Sequence, residues 1–136
     1  MDLKSLDTVS SSDEGAWLTL LHPKTNAPLV DEKTGKEAQI RLAGSDSEIY
    51  RSAQRKAQNK RLSLPRGRRN QNLTAEELEA EALDILSLCT LEFQGIILEG
   101  EALVCTQQTA KNLYTRFPWI REQVDVFIAD RANYLT

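Results

Sequence analysis

Ala38-Gln39-Ile40-Arg41-Leu42-Ala43-Gly44-Ser45-Asp46-Ser47-Glu48 joins two different periodicities. From Ala38 to Ala43 apolar and polar residues alternate, the period of a half-buried strand. Ser45-Asp46-Ser47-Glu48 then has capping-box spacing, in which a serine hydroxyl and a glutamate carboxylate satisfy otherwise orphaned amides, so a helix is predicted to open there. The chain changes from strand to helix inside this stretch, and the residues on either side keep to that division.

Upstream, Ala16-Trp17-Leu18-Thr19-Leu20-Leu21 is rich enough in strand formers to predict a strand. His22-Pro23-Lys24-Thr25-Asn26-Ala27-Pro28 has turn composition, Leu29-Val30 begins a return strand, and Asp31-Glu32-Lys33-Thr34-Gly35-Lys36 is a second turn. A small antiparallel sheet follows from these pieces. Residues 1–14 are polar and acidic with a Ser10-Ser11-Ser12 run, and are predicted as a flexible N-terminal arm.

Downstream, the first helix carries Ile49, Ala53, Ala57 and Leu62 on a thin stripe with bases on its other faces. So narrow a stripe buries little, so this helix lies on the surface or depends on a partner. Pro65-Arg66-Gly67-Arg68-Arg69-Asn70-Gln71-Asn72 breaks it, giving a mobile basic linker near 63–73. Thr74-Ala75-Glu76-Glu77 repeats the capping-box spacing, and Leu78, Ala82, Ile85, Leu86, Cys89 and Phe93 follow at helical steps. Ile96 to Val104 gives two short extended pieces around Glu99-Gly100. Thr106 to Phe117 is helical with Ala110, Leu113, Tyr114 and Phe117 on one face, and Pro118 either starts a new helix or kinks a continuous one. Ile120, Val124, Phe127, Ile128 and Leu135 continue the helical spacing. The predicted class is α+β: a small N-terminal antiparallel sheet followed by three to four helices. Residues 15–136 form a single domain, β-rich over 15–44 and helical over 45–136.

Composition permits one modest core. The chain has 136 residues, 40% hydrophobic but only 6% aromatic, so aliphatic side chains must do most of the packing. No apolar run reaches the roughly 18 residues a spanning helix needs. Met1 to Asp7 places acids where a secretory signal has a basic and then an apolar region. A soluble intracellular protein is expected. Catalytic chemistry is disfavoured by what is missing. His22 is the single histidine and sits in a turn, and the six glycines never fall in a phosphate-cradling spacing. Cys89 lies on an apolar helical face as a small core residue, and Cys105 has no basic or histidine neighbour to activate it. No catalytic residue, cofactor or metal site is expected.

The charges are sorted along the chain. Ile49 to Ala75 holds eight bases (Arg51, Arg55, Lys56, Lys60, Arg61, Arg66, Arg68, Arg69) and no acid, whereas Asn70 to Ala110 holds eight acids and no base. The basic stretch is a candidate contact surface through Arg51, Arg55, Lys56, Lys60 and Arg61; its simplest alternative is a solvated face. It lacks interleaved aromatics, and a pI near 5.2 weighs against a nucleic-acid binder. Opposite patches permit head-to-tail association of copies or mutual neutralisation within one monomer. Glu77 and Glu81 share a helical face, as many exposed acids do. Tyr114, Phe117 and Trp119 form the densest aromatic cluster, either core or an interface anchor.

The segment Phe93-Gln94-Gly95-Ile96-Ile97-Leu98-Glu99-Gly100-Glu101-Ala102-Leu103-Val104-Cys105-Thr106 resembles the pattern of tailed-phage tail assembly chaperones: aromatic, Gly, Ile, acidic-Gly-Glu, apolar, Thr/Ser. The continuation through Ala110 to Tyr114, Phe117 to Val124 and Asp130 to Leu135 is similar as well. So is the front half, with its polar arm, His-Pro and Asn-x-Pro turns and Arg/Gln/Lys-rich helix. Relatives often carry Trp at the position of Phe93 and Pro before the Thr/Ser, where this chain has Val104-Cys105. The resemblance implies a non-enzymatic assembly factor of a long-tailed phage or prophage, working in the host cell cytoplasm and absent from the mature virion. Its implied partners are the tape-measure protein, whose apolar helices it keeps soluble, the tail-tube protein, and further copies of itself. The rival expectation is a minor tail or head–tail completion protein retained in the particle.

Overall fold

The computed structural model describes residues 1–63 and 74–135. Three strands, β1 (Ala16–Thr19), β2 (Gln39–Leu42) and β3 (Thr90–Gln94), form an antiparallel sheet in the order β1-β2-β3. Leu18, Ile40 and Phe93 stand in register across it. The alternation over 39–42 sets the central strand's faces: Ile40 and Leu42 are fully buried, while Gln39 and Arg41 point away. Burying each of those two side chains contributes about 1.5–3 kcal/mol. On the other face Arg41 Nε reaches Glu92 across the β2–β3 pair at 3.2 Å.

The molecule is α+β, but its sheet is not confined to the N-terminal part. Its third strand follows two long helices, α2 (Glu48–Leu62) and α3 (Ala75–Cys89). The helical spacing that was expected to carry Cys89 on to Phe93 stops at Cys89, and Phe93 lies in β3. Thr90-Leu91-Glu92-Phe93-Gln94 also alternates with period two, and a sheet gains stability from a third strand that a two-stranded pair lacks. Leu29-Val30 forms no regular strand. Leu20, Leu29 and Ala38 instead close a chain of backbone bonds: Leu29 N–H to Leu20 C=O, Ala38 N–H to Leu29 C=O and Leu20 N–H to Ala38 C=O, each 2.9 Å.

Where a flexible arm was expected over 1–14, the chain forms a 3-10 turn at Leu3–Leu6 and a helix, α1 (Val9–Glu14), with Ser12 buried. Thr8 Oγ1 donates to Asp46 at 2.6 Å, and Asp13 accepts from the Glu48 N–H at 2.7 Å. Gly15 ends α1 at φ 86°, and a Cβ there would lie 2.8 Å from Leu91, so glycine alone suits both the turn and the approach of β3.

Each later helix starts on a readable signal. Ser47 rather than Ser45 caps α2, accepting the Tyr50 N–H at 3.1 Å, and the Glu48 carboxylate turns to Arg55 instead of back to the cap. Thr74 caps α3. Thr106 and Thr109 form a reciprocal capping box that opens α4 (Gln107–Arg116). Pro118 occupies the first turn of a separate helix, α5 (Pro118–Ala129), where its missing N–H costs nothing. The expected pair of extended pieces is a hairpin of β4 (Ile97–Leu98) and β5 (Glu101–Ala102). The mobile linker expected near 63–73 lies, apart from Ser63, outside the described residues.

One core joins sheet and helices: Leu20, Ile40 and Leu42 from the sheet side meet Leu86 and Cys89 of α3, Leu113 and Tyr114 of α4, and Ile120, Val124 and Ile128 of α5. Among the described residues no helix is long and apolar enough to cross a membrane.

Candidate functional site

The basic helix α2 and the acidic helix α3 pack side by side in the same chain, and an open groove of about 680 Å³ lies along their junction. Its floor is made of small and aliphatic side chains, Ala53 and Ala57 from α2 and Ala80, Ile85 and Leu88 from α3. The thin stripe of α2 explains this shape. Alanines at Ala53 and Ala57 keep the helix surface low where a leucine would have filled the space. Leu88 stays exposed beside it.

Charge lines both edges. Lys56, Lys60 and Arg61 stand on the α2 side; Glu77, Glu81 and Asp84 stand on the α3 side, with Lys111 of α4 at one end. Arg61 reaches across to Glu81 at 2.7 Å, and Lys111 holds Asp84 at 2.5 Å. Further along α3, Glu79 pairs with Arg121 of α5 at 2.8 Å. Basic and acidic segments thus neutralise each other in part within one molecule. Among the described residues Lys56 and Lys60 have no acidic partner and the buried Nε of Arg61 has no acceptor.

The sequence-predicted residues divide into three groups. Lys56, Lys60 and Arg61 line the groove. Arg51 and Arg55 do not line it; both are directed to Glu48, at 3.5 Å and 2.7 Å. Their salt bridges are exposed and contribute at most about 1 kcal/mol each. Arg66, Arg68 and Arg69 lie outside the described residues.

The aromatic cluster does not form one interaction surface. Tyr114 is buried, and its hydroxyl lies 2.6 Å from Thr90 Oγ1. The Thr90 hydroxyl already donates to the Leu86 carbonyl at 2.9 Å, so Tyr114 is the donor of the pair. Burial pushes its phenol pKa above the ordinary value. Tyr114 is therefore a core residue, not an interface anchor. Phe117 and Trp119 are half-buried and meet edge to face at 6.1 Å where α4 passes into α5, with the Arg116 guanidinium 5.5 Å from the Phe117 ring centre.

Glu77 and Glu81 were legible in the sequence as acids on one helical face, but Ala80, Leu88 and Lys111 were not singled out. Sorted charge was the available signal, but the partner of each residue depends on how α2, α3 and α4 pack. A second, shallower depression of about 380 Å³ lies between Leu29–Lys33 and the β4–β5 hairpin. Its acid, Asp31, is engaged by the Lys33 N–H and the Thr34 hydroxyl of its own turn.

Comparison with protein-family models, curated proteins and solved structures gives no match for this chain.

Proposed function

We propose that this chain is a tail assembly chaperone of a long-tailed phage or prophage, a binding protein that holds amphipathic helices of the tape-measure protein in the α2–α3 groove. The observation that carries the reading is the groove itself: an apolar floor of low side chains between two charged edges suits one face of a helix. The Phe93–Thr106 segment and its continuation to Leu135 support the family assignment by resemblance. On this reading the chain works in the host cytoplasm, helps recruit tail-tube subunits, self-associates on its client and leaves before the virion is complete.

Co-expression with the tape-measure protein of the same phage, followed by sedimentation and pull-down, tests it. A soluble complex holding several copies of this chain is expected. A tape-measure protein that stays insoluble and unbound contradicts the proposal. Finding this chain by mass spectrometry in purified virions favours a retained tail or head–tail component instead.

A further inference from the structure

The groove has a sign. Glu81 and Asp84 are occupied by Arg61 and Lys111, so the α3 edge is largely neutralised. On the α2 edge Lys56 and Lys60 keep their charge free of acidic partners among the described residues, and both are exposed. Arg61 is engaged with Glu81, and its buried Nε has no acceptor among the described residues, which leaves Lys56 and Lys60 as the charges open to a ligand. Lys56 and Lys60 are four residues apart, about 6 Å along the helix axis, the same step that separates i and i+4 on a second helix laid beside α2.

We propose that the occupant of the groove is an acidic amphipathic helix. Its narrow aliphatic stripe rests on Ala53, Ala57 and Ala80, and carboxylates at i and i+4 face Lys56 and Lys60. This rests on the reading of the groove as a helix-binding site and adds the chemistry of its partner. A helix with lysines at those positions meets like charge along the whole α2 edge. The apolar floor disfavours a phosphate backbone, which offers it nothing to bury.

Three synthetic peptides of about 18 residues, or five turns, test this with the full chain. They share one Leu/Ala stripe and carry Glu, Gln or Lys on the flanking positions. Fluorescence anisotropy is expected to rank them Glu, Gln, Lys from tightest to weakest, with the Glu peptide weakening as salt rises. Lys56→Glu and Lys60→Glu are expected to weaken the Glu peptide by about 2- to 5-fold per lysine and to improve the Lys peptide. Circular dichroism of both variants checks that the fold is retained. Equal affinity for all three peptides overturns the charge assignment while leaving the groove as a helix site. Binding of none of them overturns the helix-site reading and the proposal with it. Glu-peptide binding unaffected by either lysine reversal or by Ala80→Trp places the peptide elsewhere and overturns the proposal. Self-association of the chain alone that Lys56→Glu abolishes makes a second copy the occupant, and does the same.

Discussion

Gln123 offers both ends of its side-chain amide to the backbone of Leu21: the Leu21 N–H donates to Oε1 at 2.9 Å, and Nε2 donates to the Leu21 carbonyl at 2.9 Å. The amide takes the place of a neighbouring strand, and it ties α5 to the chain just beyond β1 across 102 residues of sequence. Replacing it strands two partly buried backbone groups. Gln123→Ala is expected to lower stability by about 1–3 kcal/mol in urea denaturation. Gln123→Glu keeps the acceptor but sets a carboxylate oxygen against the Leu21 carbonyl, so it too is expected to destabilise at neutral pH.

Tyr114→Phe removes only the hydroxyl that donates to Thr90, and we expect a loss of about 1 kcal/mol in the same assay. Tyr114→Ala empties a fully enclosed site and is expected to cost about 3–5 kcal/mol. Any loss of client binding in these variants should follow their loss of folded protein. Binding that fails while the fold is intact contradicts the placement of Tyr114 in the core.

Gly44 sits where three separated parts of the chain converge. A Cβ there would lie 2.6 Å from Ser12 Oγ and 2.9 Å from the Tyr134 ring. Gly44→Ala must therefore push apart α1 and the 3-10 turn at Arg131–Tyr134 that follows α5, and we expect a loss of about 1–3 kcal/mol by thermal unfolding.

The sequence-level reading of the fold succeeded where the signal was local. The Ile40/Leu42 alternation, the Thr74 cap and the helix over Thr106 to Phe117 each depend on a few neighbouring residues, whereas Pro118 allowed both a new helix and a kink until the structure chose the first. It failed where tertiary partners decided. Thr90 to Gln94 satisfies both a helical and an alternating pattern, and pairing with β2 chooses the second. Ser12 is polar in sequence yet buried, because Gly44 N–H bonds the Ser12 carbonyl and draws α1 onto the sheet end. The same limit applied to the candidate site. Lys60 and Arg61 were visible as bases, but whether Arg61 met Glu81 or another molecule depended on the packing of α2 against α3.

Asp46 links the two ends of the fold, accepting from Thr8 at 2.6 Å and from Arg131 at 2.7 Å. Arg131 first, then Thr8, hold its carboxyl at about 2, below the 3.8 of a free aspartate. A lowered native pKa means the carboxylate stabilises the fold above roughly pH 4, and that contribution fades as pH falls through about 2. Asp46→Asn is expected to be less stable at neutral pH and to show a smaller loss of stability between pH 4 and 2, measured by urea denaturation across that range.

The thiols should differ in reactivity. Burial pushes Cys89 up to about 12 and also raises Cys105, which is only half-buried. Alkylation at pH 8 followed by mass spectrometry is expected to modify Cys105 slowly, and Cys89 only once the protein unfolds.

Groove occupation by a client helix is read most directly by comparing wild type with Ala57→Trp and Ala80→Trp in co-expression with the tape-measure protein. Both substitutions fill the floor from its solvent side without disturbing the Leu113–Tyr114–Val124 core. We expect wild type to bring the tape-measure protein into the soluble fraction and co-purify with it, and the tryptophan variants, folded by circular dichroism, to leave it insoluble. Folded tryptophan variants that solubilise and retain the tape-measure protein as well as wild type contradict a client site in the α2–α3 groove.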